Sequence, residues 1–195
     1  MIIWINGAFG SGKTAAAFEL CRRLPGSAVF DPENFGFFMR KNLPSGILNG
    51  DFQDEPLWRE VNYRLLKIAA ERYPGHILVP MTITNPQYYG EIIETLRRDG
   101  VDVRHVLLKV DGETLRKRLK KRFDGKNSWP AKQIPRCLAA FENPLFENGI
   151  DTRGKSVARV AEEIARICGV ELKRETKSKF SRWFGQKFIS IKHIR

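Results

Sequence analysis

Residues 7–14 read G-A-F-G-S-G-K-T and fit the phosphate-binding loop pattern G-x-x-x-x-G-K-T at every fixed position. The residues before this stretch, M-I-I-W-I-N, are apolar and rich in isoleucine, as expected of a buried parallel strand. The residues that follow, T-A-A-A-F-E-L-C-R-R-L at 14–24, are rich in helix formers. The order strand, glycine loop, helix predicts a P-loop at the start of an α/β fold, and it disfavours a glycine-rich turn with a chance lysine.

The composition of this loop explains how it would bind phosphate. Its glycines let the backbone approach a phosphate and adopt torsions that a side chain forbids. The N–H groups of the loop and of the first helical turn converge on one spot, where they bind an anion. Lys13 can reach the β- and γ-phosphates of ATP, and the Thr14 hydroxyl can ligate Mg²⁺. The predicted cofactor-binding residues are Gly7, Ala8, Phe9, Gly10, Ser11, Gly12, Lys13 and Thr14.

The overall composition indicates a single soluble domain. The chain has 195 residues, of which 42% are hydrophobic and 29% are charged, enough for a sizeable core. It contains no run of about 18 apolar residues, so no membrane-spanning segment is predicted. The first strand leads directly into the glycine loop, which argues against a signal peptide. The three cysteines are far apart, so a reducing cytosol is expected and neither a disulfide framework nor a zinc site is indicated.

The rest of the chain alternates between strand-like and helix-like segments. Strands are predicted at residues 27–30, 77–81, 103–110 and 150–152, and helices at 32–42, 55–73, 85–99, 111–123, 131–141 and 155–168. Within the helix at 55–73, one apolar stripe contains Leu57, Val61, Leu65 and Ile68; within that at 85–99, Ile92, Ile93 and Leu96 are expected to face inward. This alternation predicts a three-layer α/β domain over residues 1–170, with helices on both faces of a parallel sheet and ligands at the carboxyl ends of the strands.

Asp31 stands at the carboxyl end of the second predicted strand, where many small-molecule kinases carry a carboxylate that faces the phosphate loop. There it would accept the proton of a substrate hydroxyl or hold Mg²⁺ through water, so Asp31 is predicted as catalytic and, with Thr14, as metal-binding. A helix N-cap is the alternative role, and one residue can serve both. Glu33 is a weaker candidate for the same work. The third strand reaches Thr82 without a carboxylate, so Thr82 would donate to the acceptor or Asp31 would serve the metal alone.

The helix after Asp31 carries candidate substrate-binding residues. Its phenylalanines, Phe35 among them, could form a face for a flat ligand such as a base, although phenylalanine at helical spacing more often belongs to a core. Arg40 on the same helix is assigned to substrate binding as well.

A basic segment, R-K-R-L-K-K-R at 116–122, precedes a glycine-containing loop and has the composition of a mobile lid spanning about 116–130. Arg118 and Arg122 share a helix face and are predicted as catalytic residues that stabilise the transferring phosphoryl group. The lysines of the segment fit a solvated basic face equally well. Arg136, beyond the lid, would join the substrate-binding residues.

The formal net charge of +12 indicates anionic partners and is concentrated at the C-terminus. Residues 173–195 hold eight basic residues and one acid, which is +7 of that total. Apolar residues recur there at helical spacing, namely Phe180, Trp183, Phe184, Phe188 and Ile191. An aromatic stripe beside basic residues is typical of an amphipathic helix on an anionic membrane, so residues 171–195 are predicted as a membrane-binding tail. Docking of the same stripe on the domain is the alternative. No nucleic-acid motif is present, and no nucleic-acid partner is predicted.

Further segments along the chain carry a family resemblance. They are I-I-W-I-N-G-A-F-G-S-G-K-T (2–14), D-P-E-N-F-G-F (31–37), D-F-Q…P-L-W-R…N-Y (51–63), V-P-M-T-I (79–83), G-K-N-S-W (125–129) and K-Q-I-P-R-C (132–137). Together they resemble the tunicamycin-resistance ATP-binding proteins, the TmrB family of P-loop kinases, over nearly the whole length. The resemblance implies a nucleoside-kinase-like fold, ATP binding, a membrane-associating C-terminus and resistance to tunicamycin, a nucleoside antibiotic with a uracil, sugars and a fatty acyl chain.

Three functions fit these features. The first is an enzyme that moves the γ-phosphate of ATP to a hydroxyl of tunicamycin or a related uridine-containing compound. The second is a protein that sequesters the drug at the membrane and uses ATP only as a conformational ligand. The third is a nucleoside or nucleotide kinase of ordinary metabolism. The expected partners are a tunicamycin-like nucleoside antibiotic and an anionic membrane surface, with the protein in the cytoplasm at the inner face of the cell membrane.

Overall fold

A parallel sheet forms the centre of the protein, whose computed structural model describes residues 1–48, 50–121, 128–146 and 149–174. Its five strands are β1 (Ile2–Gly7), β2 (Ser27–Val29), β3 (His76–Pro80), β4 (Val103–Lys109) and β5 (Gly149–Asp151). Their order across the sheet is β2-β3-β1-β4-β5, and all four pairings are parallel. Each predicted strand lies within one residue of its expected bounds, which confirms the α/β class.

Helices connect these strands. They are α1 (Lys13–Arg23), α2 (Glu33–Asn42), α3 (Pro56–Arg72), α4 (Pro86–Tyr89), α5 (Thr95–Arg98), α6 (Gly112–Lys120), α7 (Trp129–Ala140) and α8 (Val157–Cys168), with 3-10 turns at Phe52–Asp54 and Pro144–Phe146. A π-helical turn (Gly90–Glu94) joins α4 to α5, so the helix predicted at 85–99 is one segment with a widened turn in its middle. Its Ile92, Ile93 and Leu96 are fully buried, as predicted.

The sheet separates two apolar layers. Ile2 and Trp4 of β1 contribute to a core with α3 and the α4–α5 segment, and Ile3 and Ile5 contribute to a second core with α1 and α8. Successive residues of a strand point to opposite faces, so a strand covered on both sides needs apolar residues throughout. Helices on both faces confirm the predicted three-layer arrangement.

Helix α3 buries a different face from the one that its apolar stripe marks. Trp58 and Leu66 are fully buried, whereas Leu57, Leu65 and Ile68 are 54%, 43% and 43% exposed. Trp58 is the larger apolar side chain, and it takes the core position together with Leu66. The stripe recognised in the sequence is therefore a surface feature.

The described chain ends against α1. The N–H of Lys173 donates to the Arg23 carbonyl at 2.9 Å, and Arg23 Nε donates to the Lys173 carbonyl at 3.1 Å. Most of the predicted amphipathic tail, residues 175–195, lies outside the described residues. Within the described ranges, no helix is both long and apolar enough to cross a membrane.

Candidate active site

The glycine loop adopts a backbone that other residues rarely allow. The φ angle is +147° at Gly7 and +103° at Gly12. A Cβ atom at Gly7 would lie 2.6 Å from the Ser11 hydroxyl and 2.9 Å from the carbonyl oxygen of Leu108. The loop can therefore take this shape only with glycine at these positions.

The loop leads into the N-terminus of α1, where donors converge. Gly12 is the N-cap and no side chain caps the helix, so the first N–H groups lack a capping acceptor. The Ser11 hydroxyl is buried without a hydrogen-bond partner among the described residues. The Lys13 ammonium is close by and donates to the carbonyl oxygens of Gly7 at 2.9 Å and Ala8 at 3.2 Å. These donors and the positive end of the helix dipole fit the phosphates of a nucleotide.

Asn6, the last β1 side chain before the first glycine, ties the loop to neighbouring strands. Its Oδ1 accepts from the N–H groups of Gly7 at 2.8 Å and Ile83 at 3.0 Å. Its Nδ2 donates to the Ile83 carbonyl at 2.8 Å and lies 3.1 Å from His105 Nε2. Asn6 is not among the site residues predicted from the sequence. The available signal was a polar side chain at the end of an otherwise apolar strand, since a buried amide must have partners.

Thr82 lies beside the loop, past the end of β3. Its hydroxyl donates to the Gly7 carbonyl at 2.8 Å, and the residue is 1% exposed. A hydroxyl has one proton, and here it is directed at the loop. The residue that follows the third strand therefore lies beside the loop, and its hydroxyl proton, which was expected to go to the acceptor, goes to the Gly7 carbonyl.

Asp31 begins the turn that leads from β2 into α2. Its Oδ1 accepts from the N–H of Glu33 at 3.0 Å, so it stabilises the start of the helix, which was the alternative role. Trp58 of α3 supports the same turn by donating its Nε1–H to the carbonyl of Pro32 at 3.1 Å.

The carboxyl group of Glu33, at the start of α2, lies within electrostatic range of the loop lysine and of two other carboxyl groups. Burial raises the pKa of Glu33, the Asp31 carboxylate raises it further, the Lys13 ammonium lowers it, and the more distant Asp51 raises it. An ionised carboxylate near a phosphate-binding loop accepts hydrogen bonds, which suits an acceptor that donates them, such as a sugar hydroxyl.

Asp51 in the α2–α3 connection is a second residue that the sequence analysis missed. Its carboxylate accepts from the Gln53 N–H at 3.2 Å, from Gln53 Nε2 at 3.3 Å and from a guanidinium nitrogen of Arg136 at 3.2 Å. Its side chain is only 7% exposed, whereas that of Arg136 is 45% exposed. Arg136 of α7, predicted to bind substrate, is therefore held at the edge of the site by Asp51. The signal was the segment D-F-Q, which belongs to the family resemblance.

Phe52 anchors this connection. Its ring centroid lies 5.4 Å from that of Trp58 and 6.1 Å from that of Phe37. Beneath the ring stands Gly36, where a Cβ atom would lie 2.5 Å from two ring carbons. Only glycine lets α2 approach the ring so closely, and Phe52 in turn places Asp51.

Two of the predicted substrate-binding residues on α2 pack against neighbouring side chains or backbone. Arg40 lies over the Phe52 ring at 5.3 Å and donates to the Gly50 carbonyl at 2.5 Å. Phe35 is half-buried and stacks on the exposed Phe38, with ring centroids 5.9 Å apart. Arg40 thus supports the α2–α3 connection, and Phe35 shares an aromatic pair with Phe38.

Arg118 of α6 joins the loop to the end of β5. Its guanidinium donates to the Ser11 carbonyl at 3.0 Å and to the carbonyl and hydroxyl of Thr152 at 3.0 and 3.3 Å. The predicted phosphate-binding arginine is therefore beside the loop. Arg122 and the rest of residues 122–127 of the predicted lid lie outside the described residues, and the role of Arg122 stays a prediction.

The residues present fit MgATP. Thr14 is the second residue of α1, next to Lys13, which is where the pattern requires a metal-ligating hydroxyl. The described part of the chain contains no group of three His, Cys, Asp or Glu side chains that would hold a metal by themselves. A Mg²⁺ ion that is bound mainly by nucleotide phosphates and water needs only one or two protein ligands, for which Thr14 and Asp31 are the candidates.

Known proteins share the fold of this chain. Residues 2–144 match the AAA domain family. The structure of the tunicamycin resistance protein of Deinococcus radiodurans is 34% identical, with a TM-score of 0.76 over 89% of this chain and 98% of that chain. An APS kinase of Mycobacterium tuberculosis is 18% identical, with a TM-score of 0.57 over 86% and 96%. A gluconokinase of Sinorhizobium meliloti is 17% identical, with a TM-score of 0.60 over 86% and 90%. No curated protein sequence matches the chain.

The two kinases share the fold at low identity, whereas the Deinococcus protein is similar in sequence along almost its full length. The family match contains the loop, Asp31, Asp51 and Arg136. The chain is thus a nucleotide-binding, kinase-like protein, and it belongs to the tunicamycin-resistance family of P-loop proteins.

Proposed function

We propose that the protein transfers the γ-phosphate of MgATP to a hydroxyl of a tunicamycin-like nucleoside antibiotic in the cytoplasm. The observation that carries this proposal is that Lys13 follows the carboxyl end of β1 and Asp31 that of β2, so both lie at the same end of the parallel sheet. The charges of both groups also act on the Glu33 carboxyl group. A carboxylate beside a phosphate site is suited to take the proton of an acceptor hydroxyl. The similarity to a protein named for tunicamycin resistance supports the drug as the acceptor.

Each residue has a distinct role in this reaction. Bound MgATP supplies the phosphoryl group and a divalent charge. Lys13 and the loop N–H groups would stabilise the β- and γ-phosphates, and the Thr14 hydroxyl and Asp31 would hold the metal. Asp31 accepts the hydroxyl proton while the acceptor oxygen bonds to the γ-phosphorus and the bond to the β–γ bridging oxygen breaks. Arg118 and Arg122 stabilise the charge of the transferred group.

The acceptor is assigned to the side of the site formed by α2, α7 and the connection at Asp51. Arg136 can bind it directly, because its guanidinium is held by Asp51 and still half-exposed. Phe35 would offer a ring to the base. Arg40 and Thr82 would act through the α2–α3 connection and the loop backbone.

The test of the enzyme is direct. Purified protein with MgATP and tunicamycin should yield a drug carrying one added phosphate, detected by mass spectrometry. Asp31→Asn should still bind ATP but lose turnover by about 100-fold or more, because the proton acceptor is gone. The matched control is Asp102→Asn, an exposed carboxylate paired with Arg104 at the amino ends of the strands, away from the site, which should keep full turnover. Absence of product from protein that binds ATP would overturn the proposal.

Lys13→Ala should lower ATP affinity about 10- to 100-fold, the usual effect of losing a charged hydrogen-bond donor. Unchanged affinity would show that the loop is not the nucleotide site. Resistance retained by Asp31→Asn, with ATP and drug still bound, would instead support sequestration, and faster turnover of uridine or UMP would support a nucleoside kinase.

We also propose that residues 175–195 attach the protein to the inner face of the cell membrane. The support is the basic and aromatic composition of this tail. Truncation after Arg174 keeps the Lys173 contacts with Arg23 and should leave ATP binding intact. Full-length protein should sediment with anionic vesicles at low salt and be released at high salt, while the truncated form stays in solution. Equal recovery of both forms with the vesicles would contradict the attachment.

A further inference from the structure

The surface of α3 carries an apolar row that no catalytic role explains. We define the outward stripe as Leu57, Val61, Leu65 and Ile68. Of the nine large apolar side chains that the described residues leave exposed, seven lie between residues 38 and 73, three of them in the stripe. Between Leu57 and Ile68 the helix rises about 17 Å, so the stripe is a continuous row rather than scattered side chains. Such a row is typical of an interaction surface.

Contacts within the molecule use another flank of α3. Tyr63 and Lys67 both bond the Asp99 carboxylate, at 2.5 and 2.8 Å, and Arg59 pairs with Glu91. These bonds attach that flank to the α4–α5 segment. An α-helix turns by about 100° per residue, which places the bonded flank on one side of the buried face of α3 and the outward stripe on the opposite side. It is therefore available to a partner while α3 stays in place.

The charges beside the outward stripe are mixed. Glu60 and Arg64 form an ion pair at 2.8 Å, with side chains 55% and 69% exposed. A helix that lies on an anionic membrane has a basic polar face, whereas the charges beside this stripe are of both signs. Opposite charges next to an apolar row suit a protein partner with the same two features.

A second copy of α3 in antiparallel orientation has these features in register. With a two-fold axis beside residues 62–63, Leu57 faces Ile68 of the other copy and Val61 faces Leu65. The same axis brings Glu60 opposite Arg64. Each pair occurs twice, as a symmetric dimer requires, and one axis places all three pairs opposite each other to within one residue of register, a rise of about 1.5 Å. We propose that the outward stripe is the centre of a homodimer interface in which α3 packs antiparallel against α3 of a second copy.

Sedimentation velocity of the full chain over a range of concentrations tests this proposal. The wild type should form a dimer, and Leu65→Glu should raise the dimer dissociation constant about 30-fold or more, as for a central interface contact. The control is Leu145→Glu, since Leu145 is similarly exposed, at 38%, but lies in the turn after α7. ATP affinity, which the stripe does not affect, confirms that each variant is folded. A wild type that stays monomeric, or a dimer equally sensitive to both changes, would overturn the interface.

Charge reversal tests the register. Glu60→Arg and Arg64→Glu should each weaken the dimer, and the double reversal should restore it, because every cross-copy pair is again of opposite sign. A double variant no tighter than the singles refutes the antiparallel pairing. Two further results would assign the stripe to another occupant and end the proposal. One is a monomer that binds anionic vesicles through Leu65, and the other is a dimer that appears only after truncation at Arg174.

Discussion

Replacement of Asn6 by alanine should damage the loop without changing its sequence pattern. The side chain makes bonds to the N–H groups of Gly7 and Ile83, to the Ile83 carbonyl and to His105. Alanine removes all four and leaves the backbone groups buried without these partners. At about 1 kcal/mol for each bond, the expected loss in the free energy of unfolding is about 4 kcal/mol. Typical domains have only about 5–15 kcal/mol in total, so the effect is large.

Urea unfolding followed by tryptophan fluorescence measures this loss, because Trp4 and Trp58 are both fully buried. The matched control is Asn42→Ala: Asn42 is exposed and makes one bond, to the Phe38 carbonyl at 2.7 Å. That change should cost less than about 1 kcal/mol. ATP affinity of the folded Asn6→Ala variant should also fall, since Gly7 loses the acceptor that fixes its N–H. If both asparagine variants lose similar stability and bind ATP normally, the Asn6 side chain does not hold the loop in place.

Two further changes probe the acceptor side and the core. Gly36→Ala places a Cβ atom 2.5 Å from the Phe52 ring, so it should lower the free energy of unfolding by about 1–3 kcal/mol and raise the KM for the acceptor. The control is Gly90→Ala, which has open space at its Cβ and should leave the KM unchanged and stability unchanged or slightly improved. Equal effects of the two changes in thermal unfolding and kinetics would contradict this. Burial lowers the pKa of His105 to about 4, from an ordinary value near 6.5, so the unfolded chain takes up the proton first and stability should fall by about 3 kcal/mol as the pH drops from about 6.5 to about 4. In urea titrations, His105→Gln should remove this contribution of His105 to the pH dependence of stability. His76, whose pKa burial also lowers, contributes equally to the wild type and the variant. Parallel pH profiles of the wild type and His105→Gln would disprove the role of His105.

Local patterns were sufficient to predict most of the fold. The apolar run of β1, the glycine loop and the helix formers of α1 are contiguous, and each acts through neighbours in sequence. The same holds for the alternating segments, whose strand bounds agree within one residue. Strands and helices of this kind depend on hydrophobic periodicity and on the residues that form turns, both of which are visible in the sequence.

The α3 stripe shows where periodicity is insufficient. A helical repeat identifies an apolar row, but it does not say which of two rows the rest of the molecule will cover. Trp58 packs against Phe52 and donates to the Pro32 carbonyl, and these partners are 6 and 26 residues away. Because that choice depends on surfaces brought by other elements, the outward position of Leu57, Leu65 and Ile68 was not predictable from the helix alone.

The sequence by itself determined the phosphate loop, the alternating α/β order and the position of Asp31 at a strand end, because each depends on residues adjacent in the chain. Only the tertiary structure decided that Asn6 holds Gly7 and Ile83 together, that Asp51 holds Arg136, and that α3 turns an apolar row outward. Asp51 and Arg136 are 85 residues apart in the sequence, and Asn6 and Ile83 are 77 residues apart. Such pairs form only when the sheet order and the helix packing bring them together, since hydrogen bonds act over about 3 Å and carry no trace in sequence spacing.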